Sequence, residues 1–194
     1  MSNTFFDPMR PLERIVRHIV IVGTWNLENF FRPGSDDGPD DPVYEAKLTE
    51  LARVIDEIEV DVLGVQEVGD PEALEDLREH LAGDWHTETS EFPDGRGIRN
   101  GFLSRLALAE VEHVREFPDR LAPVQVDDEG ATLAEMGRGA LRVRVSAEGR
   151  DIDLVTCHWK SKLLTFPGSR FQPRDEGERA RFGATPCIGE RARR

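Results

Sequence analysis

Asp61-Val-Leu-Gly-Val-Gln-Glu67 is the stretch whose reading decides the fold. Val62 to Val65 is a short unbroken run of apolar or small residues with valine at both ends, the pattern of a strand buried on both faces. Gln66 and Glu67 close it, and the carboxyl ends of strands are where open α/β sheets form ligand crevices. Upstream, Ile19-Val20-Ile21-Val22 reads as a second apolar strand, spanning His18 to Asn26, with polar Thr24 and Asn26 at its end. Two adjacent strand ends therefore offer Asn26 and Glu67 to one point. Oxygen ligands of that kind suit a hard cation such as Mg²⁺.

The segments around these strands fill in an α/β pattern. Leu27 to Pro42 is rich in Pro, Gly and Asp and reads as a loop. Tyr44, Leu48, Leu51, Ile55 and Ile58 fall at helical spacing. Asp70-Pro71 is an N-cap followed by proline at the first helical position. Leu74, Leu77 and Leu81 then give a buried stripe, and Gly83 stops that helix. The order β-α-β-α makes an α/β fold the first choice. The second half differs. Strands are expected around Gly101–Arg105 and Val111–Phe117, and Pro118 to Gly137 reads as a polar loop with Asp127-Asp128-Glu129 at its tip. Leu141, Val143 and Val145 alternate with Arg142 and Arg144, a half-buried strand. Gly149 marks a turn, and Ile152 to His158 returns as an antiparallel partner. Asp175 with Glu178 could cap a short helix.

Composition limits the function. The chain has 194 residues, enough for one domain with a real core. Its hydrophobic share of 38% and charged share of 32% fit a soluble globular protein. No apolar run approaches the ~20 residues that span a bilayer. Met1 to Pro11 lacks a secretory pattern, so a cytoplasmic location is expected. Cys157 and Cys187 alone make no disulfide framework. A net charge of −13 argues against a protein that coats nucleic acid. That charge is uneven: His158 to Arg194 holds nine Lys/Arg against four Asp/Glu, leaving −18 on Met1 to Cys157. An acidic body with a basic carboxyl-terminal segment suits local handling of a phosphate.

Beyond Asn26 and Glu67, His158 stands at the end of an apolar strand, where an imidazole beside a phosphate can act as acid, base or donor. A core histidine satisfied by a carbonyl is the competing reading. Lys160 and Lys162, with Arg170 and Arg174, could neutralise phosphate or form an exposed loop. Arg138, between Gly137 and Gly139, could point at an anion or only at solvent. Cys157 reads as buried and inert, and Trp25, Tyr44 and Trp85 as core or core-edge aromatics.

Taken together these pieces resemble the endonuclease/exonuclease/phosphatase superfamily, the deoxyribonuclease I-like metal-dependent phosphodiesterases. The matching pieces are Thr24-Trp-Asn-Leu-Glu-Asn29, Leu63-Gly-Val-Gln-Glu-Val68, Gly101-Phe-Leu-Ser-Arg105, Arg138 and Val155-Thr-Cys-His158, in that order. The resemblance implies a β-sandwich of two mixed sheets flanked by helices, with an incomplete second sheet. It implies Asn26 and Glu67 as ligands of Mg²⁺ (or Mn²⁺), His158 and Glu67 as catalytic, and Arg138 and Lys160 on the phosphate. The implied substrate is a phosphodiester, nucleic acid among the candidates, and the implied state a monomer. Residues 1–17 read as an irregular lead-in, 18–184 as a partial domain and 185–194 as an atypical tail. The family's Gly-Asp-x-Asn and Ser-Asp-His motifs do not occur in the sequence. The chain is therefore expected to be a truncated family hydrolase with little activity; the alternative is an inactive remnant or binding module with a weak cation site.

Overall fold

The computed structural model describes residues 19–125, 131–158, 165–166 and 169–170. Its centre is the run read first. Strand β1 (Val22–Phe30) leads through helix α1 (Asp41–Glu57) to strand β2 (Val62–Val68), then to α2 (Pro71–His80). β1 and β2 pair in parallel, as a β-α-β connection requires. Strands β3 (His86–Thr89) and β4 (Arg99–Ser104) complete a mixed four-stranded sheet in the order β1-β2-β4-β3. The chain then forms β5 (Ala109–Glu116), the two-residue pair β6 (Val124–Gln125) and β7 (Thr132–Leu133), the long β8 (Glu135–Ala147) and β9 (Arg150–Thr156). β5, β8 and β9 make an antiparallel sheet in the order β5-β8-β9. Thr165–Phe166 pairs with Ser169–Arg170 as a short ladder.

Alternation along β2 divides its side chains between two layers. Leu63 and Val65 join Tyr44, Leu48 and Ile55 of α1 and Leu74 and Leu77 of α2 in one apolar cluster. Val62 joins Phe102, Leu141, Val143 and Val145 in the other, against the second sheet. The architecture is thus an α/β sandwich, with helices outside the first sheet and the second sheet behind it. Gln66 joins the sheets: its amide donates to Thr24 Oγ1 of β1 and to Thr156 Oγ1 of β9, at 3.0 Å each.

Several expectations shift at their edges. β1 begins at Val22 and runs on through Phe30, so Leu27 to Phe30 is strand rather than loop. Among the described residues β1 lies at the edge of its sheet, and Val22 at its start and Ile21 just before it are exposed. Ile58 lies past the end of α1 and is exposed, because the stripe ends with Ile55. Asp40 caps α1, accepting from the Val43 N–H. Asp70 begins α2 without a side-chain cap bond; its carboxylate accepts the Arg32 N–H at 3.4 Å instead. β3 was not expected, and β8 starts at Glu135, inside the expected polar loop. The Leu141–Thr156 hairpin forms as read, with Val145 opposite Ile152 and Gly149 at φ 71° in its turn. The Asp127–Glu129 tip and the Asp175 helix lie outside the described residues.

Leu63 is 1% exposed and sits where the helices meet the sheet. Leu63→Ala should cost about 2–5 kcal/mol of unfolding free energy in urea denaturation. A cost under about 1 kcal/mol would show that this layer is not tightly packed.

Candidate active site

β1 and β2 stay in step from Val22 opposite Val62 to Asn26 opposite Gln66, then slip and rejoin at Phe30 opposite Val68. Four residues of β1 are thereby spanned against two of β2, a bulge that bends the strand and re-aims its side chains. Within it Glu28 and Asn29 take φ of 54° and 51°, and Glu67 takes 63°. Left-handed backbone at a non-glycine residue is uncommon and costs on the order of 1–3 kcal/mol. Its effect is to break the alternation that would send Glu67 toward the helices with Leu63 and Val65.

The re-aimed carboxylate is held at both oxygens. Asn26 Nδ2 donates to Oε1 at 3.0 Å, and the Asn29 backbone N–H donates to Oε2 at 2.9 Å. Asn26 is itself fixed, since its Oδ1 accepts the Glu28 N–H at 2.8 Å. His158, just beyond β9, brings Nε2 to 3.6 Å from Glu67 Oε1, and both side chains are 18% exposed. On its other side the ring meets Arg138 of β8, whose Nη1 faces His158 Nδ1. Arg138 Nε donates in turn to Asp94 Oδ2 at 2.5 Å.

These contacts set the protonation states. Partial burial alone would raise the Glu67 carboxyl. The Asn26 and Asn29 hydrogen bonds, with the positive charge of His158 when it is protonated and that of Arg138, outweigh it and hold the group below its usual range. Burial lowers His158, and the Arg138 charge lowers it further against the pull of Glu67 and Asp94. A guanidinium has only donors, so His158 Nδ1 must accept and the proton resides on Nε2, the nitrogen facing Glu67. At neutral pH the site thus presents an ionised carboxylate and a neutral imidazole with an N–H to donate.

Asn26, Glu67, His158 and Arg138, each singled out in the sequence, are brought together. Lys160 and Lys162 lie outside the described residues. Cys157 is half-buried rather than buried. The sequence reading missed Asp94, Arg96 and the Asn29 backbone. The signal for Asp94 was present in Pro93-Asp-Gly-Arg-Gly97, a turn signature.

The sequence model of the Endonuclease/Exonuclease/phosphatase family matches residues 23–181, a span that takes in all four residues. The chain belongs to that family. No curated protein is recognisably similar in sequence. Among solved structures, a family protein from Leptotrichia buccalis C-1013-b is 18% identical, with a TM-score of 0.46 over 71% of this chain and 52% of its own. A humanized D. rerio TDP2 is 20% identical, with a TM-score of 0.48 over 72% of this chain and 46% of its own. A family protein from Bacteroides vulgatus is 18% identical, with a TM-score of 0.45 over 68% and 49% respectively. The chain spans about half the length of these structures.

The donor chemistry of the Asn26–Glu67 pair fits a hard divalent cation. Mg²⁺ keeps several waters and takes only one or two carboxylates from a protein. Glu67 supplies an ionised carboxylate beside an amide that carries a second oxygen. Among the described residues, no group of three or more His, Cys, Asp or Glu side chains forms a fuller metal cage.

A histidine with a depressed folded-state pKa stabilises the fold above its ordinary value of about 6.5, and that contribution is lost as pH falls through the folded value. The ring resonances of His158 should titrate with a midpoint below the ordinary value, and Arg138→Gln should move that midpoint up. A midpoint at or above the ordinary value, unmoved by the substitution, would contradict this electrostatic picture.

Proposed function

We propose that Asn26, Glu67, His158 and Arg138 form the cation- and phosphate-binding centre of a metal-dependent phosphodiester hydrolase, nuclease-like in its chemistry. The observation that supports it is convergence: four side chains from β1, β2, β8 and the end of β9 meet at one strand bulge. In this reading Asn26 and Glu67 hold Mg²⁺ or Mn²⁺. When bound, the cation offsets negative charge on the phosphoryl group. Arg138 supplies a fixed positive charge to the same group, with Lys160 as a second contact. His158, neutral and protonated on Nε2, donates a hydrogen bond to a phosphoryl oxygen as charge builds there.

The substrate is a phosphodiester, and nucleic acid is one candidate. The net charge of −13 favours a short or local contact over tracking of a long backbone. Turnover by this chain is expected to be slow. Glu67 is committed to the cation and Asp94 to Arg138, and water attack needs a further group to orient it.

The test is hydrolysis of a generic phosphodiester and of plasmid DNA in Mg²⁺, with and without a chelator. Turnover should require the cation and fall roughly 100-fold or more in Glu67→Gln and in His158→Gln. Turnover that survives chelation, or is equal in Glu67→Gln, would refute the proposal. Cation-dependent binding of the phosphodiester without turnover would instead select a binding module built on the same residues.

A further inference from the structure

Asp94 is the most enclosed acid in the network around Glu67, its side chain 1% exposed against 13% for its partner Arg138. A buried carboxylate is costly unless its oxygens are satisfied. Oδ1 accepts the backbone N–H groups of Arg96 and Ile98 at 2.8 and 3.0 Å, and Oδ2 accepts from Arg138 Nε. The backbone closes the same turn: Asp94 N–H donates to the Ile98 carbonyl, Gly97 N–H donates to the Asp94 carbonyl, and Gly97 takes φ 87°. The turn is also stitched to β8 beside Arg138, through the Gly139 N–H to the Phe92 carbonyl at 2.9 Å.

The next side chain in the turn reaches the opposite flank of the site. Arg96 Nη2 donates to Asn29 Oδ1 at 3.1 Å and to Asp37 Oδ2 at 2.9 Å. Asn29 is the residue whose backbone N–H holds Glu67 Oε2. One four-residue turn therefore touches Glu67 by two routes, through Arg138 and His158 on one side and through Asn29 on the other.

We propose that the Asp94–Gly97 turn is a clamp that positions the Glu67 centre, with Asp94 fixing Arg138 for phosphate and Arg96 fixing the Asn29 bulge for the cation. The inference rests on the reading that Arg138 meets phosphate and Glu67 meets the cation. Arginine is long and rotamer-rich, so an unanchored guanidinium loses that freedom when an anion binds. Asp94 removes most of that cost beforehand by tying down Nε, while Nη1 stays against His158. Arg96 does the same for Asn29, whose backbone sits at φ 51° and whose side-chain oxygen accepts from Arg96 Nη2. Both are positioning residues that act through a neighbour.

The experiment measures inorganic phosphate affinity and Mn²⁺ affinity separately on the full chain, with Glu67→Gln and Arg138→Gln as references. Asp94→Asn should weaken phosphate about tenfold, the order expected when a long side chain must be immobilised on binding, while Mn²⁺ affinity stays within about twofold. It should also abolish the exchange-protected Arg138 Nε–H signal in nitrogen-15 spectra. Arg96→Ala, at a side chain 47% exposed, should show the reverse: weaker Mn²⁺ and unchanged phosphate. General damage to the fold would weaken both ligands together in either variant, which would overturn the clamp. So would references that behave as expected beside an Asp94→Asn that binds phosphate normally. If Asp94→Asn does not fold, Arg96→Ala decides alone, and unchanged Mn²⁺ affinity overturns the clamp. References that leave both affinities untouched would remove the underlying functional reading as well.

Discussion

A carboxylate at the end of a strand buried on both faces has to be given partners, and the rest of this structure follows from how Glu67 gets them. The apolar run that precedes it commits β2 to the centre of a sandwich, with Val62, Leu63 and Val65 each at most 1% exposed. Regular pairing would leave its last residues in the same dry layers. The sheet instead breaks step, and three non-glycine residues accept left-handed backbone so that Glu67 can meet an amide and a backbone N–H. Strain of that kind persists only where the surroundings over-determine it. Here they do so through Gln66, which locks β1 to β9, and through the turn at Asp94.

The same arrangement sets the site's electrostatics. The body is strongly acidic, yet at the site the carboxylates of Glu67 and Asp94 are met by the Arg138 guanidinium and a neutral His158 imidazole. Arg138 has two consequences at once: its charge favours ionised Glu67 and disfavours protonated His158. A carboxylate kept ionised and an imidazole kept neutral are the states in which one binds a cation and the other donates a hydrogen bond. The match to the endonuclease/exonuclease/phosphatase family covers residues 23–181, a span that includes these side chains.

Much of this was legible in the residues because burial writes itself into periodicity. The Val62–Val65 run, the Tyr44–Ile55 stripe and the Leu141–Val145 alternation each carry one dominant signal, and each forms as read. Asn26, Glu67 and His158 stood out because polar groups at the ends of apolar strands are conspicuous, and Arg138 because it lies between two glycines ahead of the Leu141 alternation. What could not be read were the features that depend on two distant segments. Nothing local marks Asn26 as sitting before a slip in register, because the slip exists only relative to β2. Asp94 resembled an ordinary turn residue, since its role arises from Arg138, far along the chain. The start of β1 reads as lying before Val22 because Ile19-Val20-Ile21 has the composition of a strand, although these residues precede the pairing with β2.

The most direct test of the central claim is to titrate Mn²⁺ into nitrogen-15-labelled protein and map which amide signals broaden first. Broadening centred on Asn26, Glu28, Asn29 and Glu67, spreading to His158 as the cation concentration rises, is the expected result. Broadening that begins elsewhere on the acidic surface, for instance around Asp41, Glu45 and Asp76 between the helices, and leaves the β1–β2 bulge sharp would contradict it.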